Sequence, residues 1–294
     1  MLRIKKIFLG ATMLAMATGS TSALATEAAS QYPDGAEGLM AGAVPPPGLY
    51  LLNYLTHYTA DRLNDKSGNK APTSISLNAT AEVVRLLYVS EFTILGANLG
   101  AHILLPIVSL DYRLPGLSFH RTGLGDITID PFILSWHFKN FHIATGLDFI
   151  LPTGEYDRSK PLNIGANHLG IEPLVAGTYL SDSGAEVSAK LMYAFNLENP
   201  DTHYTSGQAF HTDFAVAQHF NSWTLGVAGY WFKQTTDDKA AGVIDGNRGM
   251  ALAFGPSVKY DFGSMSLNGT WHHEVVTENR PQGDKFWLKF IAKF

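Results

Sequence analysis

Cysteine is absent from the 294-residue chain, and charged residues make up only 16% of it. Without cysteine the protein has no disulfide framework, no thiolate chemistry and no site for a cysteine-linked lipid. Hydrophobic residues reach 46%, yet beyond the first 25 residues no uninterrupted apolar run approaches the ~20 residues of a membrane-spanning helix. The composition therefore excludes a helical membrane protein. The many apolar residues are distributed through the chain and do not form long uninterrupted runs.

Residues 1–25 have the pattern of an export signal. Arg3, Lys5 and Lys6 precede the apolar run IFLGATMLAMA, and Ala23-Leu24-Ala25 supplies small residues at the spacing that signal peptidase accepts. We expect cleavage near Ala25. The removed residues carry three positive and no negative charges, so the formal net charge changes from −5 to −8, which argues against a nucleic-acid partner.

The rest of the chain shows the two-residue alternation of β-strands. In GAEVSAKLMYAFNLEN the apolar residues Val187, Leu191 and Phe195 alternate with polar ones, so they share one face. The alternation predicts an all-β protein of about twelve strands, at residues 49–60, 74–88, 95–111, 125–138, 141–151, 168–180, 185–198, 207–220, 223–235, 249–261, 264–278 and 285–294.

The connections between these strands alternate between long and short. Tight links such as residues 139–140 and 221–222 follow long polar segments such as PTGEYDRSKPLNIGAN. Outer-membrane barrels have short periplasmic turns and long external loops, whereas a secreted β-sandwich, the soluble alternative, has no reason to place its long loops at one end. We therefore predict a transmembrane antiparallel up-and-down β-barrel of the outer-membrane type, in a Gram-negative cell.

Aromatic pairs eight residues apart support this prediction. In three strands both residues of such a pair lie on the apolar face. Eight residues of a tilted strand rise roughly 20 Å along the barrel axis, which is near the height of the apolar band of a membrane barrel. The pairs are Phe141 and Phe149, Trp223 and Trp231, and Phe286 and Phe294. They predict two rings of aromatic residues, in contact with outer-membrane lipid at its two interfaces.

The last strand, FWLKFIAKF, ends at Phe294. A barrel leaves no free sheet edge, so this strand must pair with the first one. An aromatic residue at the carboxyl end of an alternating strand also resembles the signal that the barrel-assembly machinery recognises. We expect that machinery to be a partner of the chain.

The residues that alternate with the lipid-facing ones along each strand line the predicted lumen. Acidic side chains outnumber basic ones among these candidates, which favours passage of neutral or cationic small molecules. The lumen-lining candidates are Asn53, His57, Glu82, Asn98, His102, Asp126, Asp130, Asp148, Glu172, Glu186, Lys190, His272 and Glu274.

Residues 26–48 precede the barrel at 49–294 and lack a strand pattern. They are rich in glycine and proline, and Pro45 to Pro47 stiffen the approach to the first strand. This stretch is either a flexible tether or a plug that folds into the lumen and narrows it.

Two other function classes stay open. Some barrels are outer-membrane hydrolases with a Ser, His and Asn set, and others are surface proteins whose loops bind a partner without any transport. The chain has no Gly-x-Ser-x-Gly motif, and its eleven histidines show no metal-ligand spacing. We therefore predict no catalytic residues, no metal and no cofactor. The solute, the oligomeric state and the resting state of the pore stay open.

Several motifs resemble one family of outer-membrane proteins. They are YPDGAEG at 32–38, PPPGLYLLNY at 45–54, GLGD at 123–126, LPTGEYD at 151–157, NIGAN at 163–167 and NPDTHYTSG ending at Gly207. This set is similar to the putative meta-pathway of phenol degradation family, and within it to the sphingosine-responsive porin-like branch. The resemblance implies an outer-membrane β-barrel that moves small hydrophobic or aromatic compounds into the periplasm. It implies no particular binding residues.

Overall fold

The computed structural model describes residues 31–240, 243–244 and 248–294. The predicted export signal lies outside these residues. Sixteen strands are present in the described part of the chain. In chain order they are β1 (Gly48–Leu63), β2 (Ser76–Ile94), β3 (Ala97–Leu114), β4 (Leu117–Leu124), β5 (Thr128–His137), β6 (Phe141–Ile150), β7 (Gly170–Leu180), β8 (Ala185–Asn196), β9 (Tyr204–Thr205), β10 (Ala209–Phe220), β11 (Trp223–Gln234), β12 (Lys239–Ala240), β13 (Val243–Ile244), β14 (Met250–Asp261), β15 (Met265–Glu278) and β16 (Pro281–Lys293).

Twelve of these strands close into one antiparallel barrel, as the alternation predicts. Each pairs with its neighbour in the chain, and the circle closes because β1 pairs with both β2 and β16, while β2 also pairs with β3. The barrel strands are β1, β2, β3, β5, β6, β7, β8, β10, β11, β14, β15 and β16. Strand β4 pairs only with the far half of β3 and forms a hairpin that extends the wall. The short strands β9, β12 and β13 form a separate small sheet.

The connections give the barrel two different ends. At the end that we call the short-turn end, the links are 95–96, 138–140, 181–184, 221–222 and 262–264. At the opposite, long-loop end, residues 151–169 and 197–208 connect strands. Two links depart from the prediction. Residues 112–124, between two predicted strands, form the end of β3 and strand β4, and of residues 279–284 only Asn279 and Arg280 separate β15 from β16. Proline is tolerated as the first residue of a strand, so β16 begins at Pro281.

Exposure separates the two faces of the wall. On β8, Val187, Leu191 and Phe195 are 54%, 41% and 41% exposed, whereas Glu186 and Ser188 are almost fully buried. The predicted interface residues Phe141, Trp223, Trp231, Phe286 and Phe294 are likewise exposed. The apolar face is therefore the outer face, and the buried polar face is the inner one.

The buried core of the molecule lies inside the barrel. Its largest cluster combines inner-face residues of β1, β2 and β16 with Ala36 and Val44, which precede the first strand. A smaller cluster packs Leu39 against Ala215, Ala217 and Ala228 of β10 and β11. The barrel is thus filled by its own chain as well as by its inner side chains. Among the described residues, no helix has the length and hydrophobicity needed to cross a membrane.

Candidate functional site

Residues 31–47, the N-terminal segment, run through the lumen from one end of the barrel to the other. Gln31 donates a hydrogen bond to Asp126 (2.8 Å), just before β5 at the long-loop end. The backbone N–H of Gly42 donates to Thr178 Oγ1 (3.0 Å), near the end of β7 at the short-turn end. The chain then enters β1 at Gly48. The segment therefore extends along the lumen between the two ends of the barrel.

One side of the lumen binds the backbone of this segment. Asp213 of β10 accepts the N–H groups of Gly35 (2.8 Å) and Glu37 (2.9 Å) and the hydroxyl of Tyr32 (2.7 Å). Glu186 of β8 accepts the N–H of Met40 at 2.6 Å. We call Thr178, Glu186 and Asp213 the acceptor wall. The segment pairs with no strand, so these side chains supply partners that its buried amides would otherwise lack.

The opposite side of the lumen binds carboxylate and carbonyl oxygens of the segment. Glu37 accepts hydrogen bonds from Tyr54 (2.7 Å) and Arg85 (2.9 Å) on Oε1 and from Lys289 (2.6 Å) on Oε2. Lys285 donates to the backbone oxygen of Asp34 at 3.0 Å. We call Tyr54, Arg85, Lys285 and Lys289 the donor wall. Burial opposes ionisation of Glu37, but the charges of Lys289 and Arg85 outweigh it and hold its pKa well below the usual range.

A second ion pair fixes the segment nearer the long-loop end. Asp34 Oδ1 lies 2.7 Å from His211 Nδ1, and both side chains are buried. Burial works against the charged form of Asp34, but His211, Arg280 and Lys285 together lower its pKa. The next residue must be glycine, because Gly35 has a φ of +85° and a Cβ there would lie 2.7 Å from the ring of His272.

Within the described part of the chain, two lumen cavities border Glu37, one on each side of it. The cavity towards the long-loop end has a volume of about 50 Å³, and Tyr32, Glu172 and Trp287 contribute to its wall. The cavity towards the short-turn end has a volume of about 270 Å³ and includes Val44 and Leu87. Four residues line both cavities and therefore lie between them: Glu37, Arg85, His102 and Lys190.

These four residues form a partition between the cavities, and hydrogen bonds connect Glu37, Arg85 and His102 into one network. Arg85 contacts Glu37 through Nη1, while its Nη2 lies 2.9 Å from Nδ1 of His102. The other ring nitrogen of His102 lies 2.9 Å from Asp148. The partition therefore joins the segment, β2, β3 and β6, and Glu37 is the one member of this chain of contacts that the barrel wall does not supply.

Most predicted lumen residues lie on the inner face. Asp130 is fully buried and accepts the N–H groups of Phe132 and Leu147, where the ladder of β5 and β6 is interrupted by a bulge. Asp126 lies in the connection before β5 and binds Gln31 and two backbone amides. The pairing register and burial place the following residues inside the barrel: Asn98, His102, Asp130, Asp148, Glu172, Glu186, Lys190, His272 and Glu274.

Three predicted lumen residues lie on the outer face instead. Asn53 donates to Glu82 (2.9 Å) there, and His57 pairs with Thr80 (2.8 Å). The prediction fails because β1 is apolar on both faces at its beginning, where Leu49 and Leu51 alternate with Tyr50 and Leu52. The tyrosines face inward because they pack against the N-terminal segment and β16. The prediction assumed that an apolar face meets lipid and a polar face meets water, and it did not consider contact with protein inside the barrel.

The donor wall was missed as a group, and with it the basic character of part of the lumen. Lys285 and Lys289 share a parity with Lys293 on β16, so the terminal strand carries three inward lysines. Arg85 lies between Val83 and Leu87 on the inner face of β2. The lysines of β16 are four residues apart, and this spacing alone predicts that they lie on one face of the strand. No signal marked Glu37, which lies in a glycine-rich stretch without periodicity.

No group of three or more His, Asp and Glu side chains in the described part of the chain is placed to hold a metal ion. The arrangement of the lumen is instead that of a path closed by hydrogen bonds and ion pairs.

The sequence profile of the family described as "Putative MetA-pathway of phenol degradation" matches residues 60–290. Among solved structures, the COG4313 outer membrane channel from Pseudomonas putida F1 is 18% identical, with a TM-score of 0.79 over 86% of this chain and 97% of that one. The transport unit of the autotransporter AIDA-I from Escherichia coli is 8% identical, with a TM-score of 0.53 over 84% of this chain and 90% of that one.

The β domain of the Bordetella autotransporter BrkA is 12% identical, with a TM-score of 0.50 over 84% of this chain and 99% of that one. At these identities the likeness to all three structures is a likeness of fold, that of an outer-membrane barrel. No curated protein sequence matches the chain.

Proposed function

The chain belongs to the family described as Putative MetA-pathway of phenol degradation, and we propose that it is an outer-membrane channel for small solutes. The barrel fold and the apolar outer face support a place in the outer membrane. We further propose that residues 1–25 direct export and are removed, and that the short-turn end faces the periplasm. The assignment to the sphingosine-responsive branch stays a prediction.

The observation that carries this proposal is the pair of cavities in the lumen. They lie end to end along the barrel and share the residues of one partition, so movement of the N-terminal segment would join them. A surface protein that uses its barrel only as an anchor has no need for such cavities. A lumen occupied along its length by a separate segment, with the two cavities divided at one partition, is the arrangement expected of a gated channel.

The walls of the two cavities indicate the class of solute. Val83, Leu104 and Ile150 line the smaller cavity beside Trp287. Leu52, Leu87, Ile133 and Ile291 line the larger one. Apolar and aromatic walls with a few polar groups are typical of sites for small organic ligands. We propose that hydrophobic or aromatic solutes pass inward, from the long-loop end to the periplasm.

A liposome assay with two forms of the protein tests this function. One form is the chain without residues 1–25, and the other begins at Gly48 and so lacks the N-terminal segment. We expect both forms to raise the rate of swelling with small neutral aromatics above that of protein-free liposomes, and the truncated form to raise it several-fold more. A barrel that admits no solute in either form would contradict the channel, and release of fatty acids from the liposomes would favour the hydrolase alternative.

The last strand closes the barrel. The N–H of Phe294 donates to the carbonyl of Leu49 at 3.0 Å, so the carboxyl end of the chain closes the barrel against its first strand. We propose that the barrel-assembly machinery recognises this strand. Replacement of Phe294 by a polar residue should reduce the amount of protein in the outer membrane without a change in its synthesis.

A further inference from the structure

Three tyrosine–lysine pairs form a ladder on the inner face where the barrel closes. Tyr50, Tyr54 and Tyr58 of β1 lie directly opposite Lys293, Lys289 and Lys285 of β16. Each ammonium lies over the ring of its own partner, at 5.7, 5.5 and 5.5 Å from the ring centre for the three pairs in that order. We call these pairs rungs. Successive rungs are four residues apart, or about 13 Å along the strand, so the ladder follows most of the lumen.

The chemistry of one rung suits an anion attached to an aromatic ring. An ammonium attracts a carboxylate, a phenol hydroxyl donates a hydrogen bond to it, and the apolar surroundings strengthen both interactions. Trp287 lies on the inner face of β16 between two rungs and is buried against Tyr54. An aromatic ring attached to the carboxylate therefore meets aromatic side chains of the same stripe.

The middle rung holds a carboxylate of the N-terminal segment, whereas the hydroxyls of Tyr50 and Tyr58 donate to the carbonyl of Pro46 and to Glu274 of the barrel wall. Glu37 places one oxygen between Tyr54 (2.7 Å) and Arg85 (2.9 Å) and the other on Lys289 (2.6 Å). The side chain of Lys289 is only 7% exposed, and that of Arg85 only 15%. Three charge-assisted or hydroxyl donors aimed at both oxygens make a built carboxylate site. In this structure a residue of the chain itself occupies it.

The charges explain why this rung must hold an anion. Arg85 and Lys289 place two positive charges against Glu37, which supplies the negative charge that touches both. Two buried cations without that anion would be strongly unfavourable. Any movement of the N-terminal segment that joins the two cavities removes Glu37 from the rung, and another anion must then take its place.

We propose that the tyrosine–lysine ladder is a path for small carboxylates, above all aromatic ones, and that Glu37 is the resident competitor at its central site. A solute carboxylate replaces Glu37 on Tyr54, Arg85 and Lys289 and then meets Lys293, which is exposed at the short-turn end. This inference rests on the proposed channel and narrows its solute. It also replaces the expectation, made from the excess of acidic candidates, that the lumen favours neutral or cationic solutes.

Planar-bilayer recordings of Glu37→Gln test the ladder. The substitution keeps the shape of the side chain and removes the resident charge, so the reversal potential in a salt gradient should shift towards anion selectivity. Benzoate should block the ion current of this variant at a concentration about tenfold lower than that needed for the parent protein. Benzyl alcohol has the same ring without the charge and acetate has the charge without the ring, and both should block less well than benzoate.

Two further variants make the outcome decisive. Glu82→Gln is the matched control, since it removes the same charge from the outer face, and it should leave selectivity and block unchanged. Adding Lys289→Gln to Glu37→Gln should abolish the benzoate effect. The inference fails if Glu37→Gln is not anion-selective, or if benzoate and benzyl alcohol block it equally. Passage of benzyl alcohol through the truncated barrel would then still support the channel, whereas no passage of any solute would refute both.

Discussion

The acceptor wall and the donor wall face each other across the lumen and bind the same segment in different ways. On the acceptor wall, Asp213 and Glu186 accept backbone N–H groups of Gly35, Glu37 and Met40. On the donor wall, Arg85 and Lys289 bind the side chain of Glu37. Almost any residue presents a backbone N–H, so the first wall fixes the course of the segment. The second wall recognises one carboxylate and is therefore where a solute can compete.

This difference sets the order of the effects expected from single substitutions. The largest should follow Glu37→Lys, which places an ammonium against Arg85 and Lys289. Breaking a buried charge pair costs about 3–5 kcal/mol, so we expect a marked fall in unfolding temperature in detergent and a conductance close to that of the truncated barrel. Glu91→Lys, at an exposed position of β2, is the control for the charge change. Unaltered stability and conductance of Glu37→Lys would show that the donor wall does not hold this carboxylate.

On the acceptor wall, Asp213→Ala should have the next largest effect. It removes the carboxylate that accepts from the hydroxyl of Tyr32 and from two backbone amides, and loss of hydrogen bonding to a charged group costs about 1.5–3 kcal/mol. We expect destabilisation of about 3 kcal/mol in denaturant unfolding and faster hydrogen exchange at Gly35 and Glu37. Asp111→Ala, in an exposed pair with His120, should cost less than about 1 kcal/mol. Equal losses in both variants would contradict the role given to Asp213.

A smaller effect should follow Gly42→Ala, which tests how closely the segment approaches the wall. A Cβ at Gly42 would lie 2.6 Å from the backbone of Gly177, so the segment would have to shift. Overpacking of this kind costs about 1–3 kcal/mol. At Gly269 the nearest atom to an added Cβ is 3.9 Å away, so Gly269→Ala should change the free energy of unfolding by less than about 0.5 kcal/mol. Equal free energies of unfolding for the two variants would contradict the close approach of Gly42 to the barrel wall.

The smallest effect should come from Tyr54→Phe. It removes one of the three donors to Glu37 and leaves Arg85 and Lys289 in place, so the cost should be about 0.5–1.5 kcal/mol with no change in conductance. Tyr88→Phe, on the outer face, should have no measurable effect on unfolding. A loss for Tyr54→Phe as large as that for Glu37→Lys would mean that the hydroxyl, rather than the charges, holds the carboxylate.

The same two walls show how far the sequence can predict this structure. Strand β8 alternates between apolar and polar residues, so its two faces were assigned correctly, including Glu186 and Lys190. Strand β1 has apolar residues on both faces, and there the assignment of Asn53 and His57 failed. The reason is physical. Alternation of apolar and polar residues distinguishes a face in contact with lipid from a face in contact with water, but the inner face of β1 is covered by protein.

The N-terminal segment marks a second limit of sequence reasoning. Its lack of periodicity predicted only that it is not a strand. The segment is held by separate side-chain contacts from six different strands and not by a pairing ladder. For the same reason the sequence pattern gives Asp34 and Glu37 no role. Their roles depend on which lysines and histidines the closed barrel brings beside them, and that follows from the strand register.

The central claim is that the N-terminal segment is packed inside the lumen, and the absence of cysteine allows a direct measurement of it. Leu39, in the segment, is 5% exposed and packs against alanines of β10 and β11, whereas Lys66 lies exposed in the loop after β1. Leu39→Cys and Lys66→Cys would each carry the single thiol of the reconstituted protein. Protection of the first from a hydrophilic maleimide, with rapid labelling of the second, is the predicted result. Equally rapid labelling of both would contradict the account.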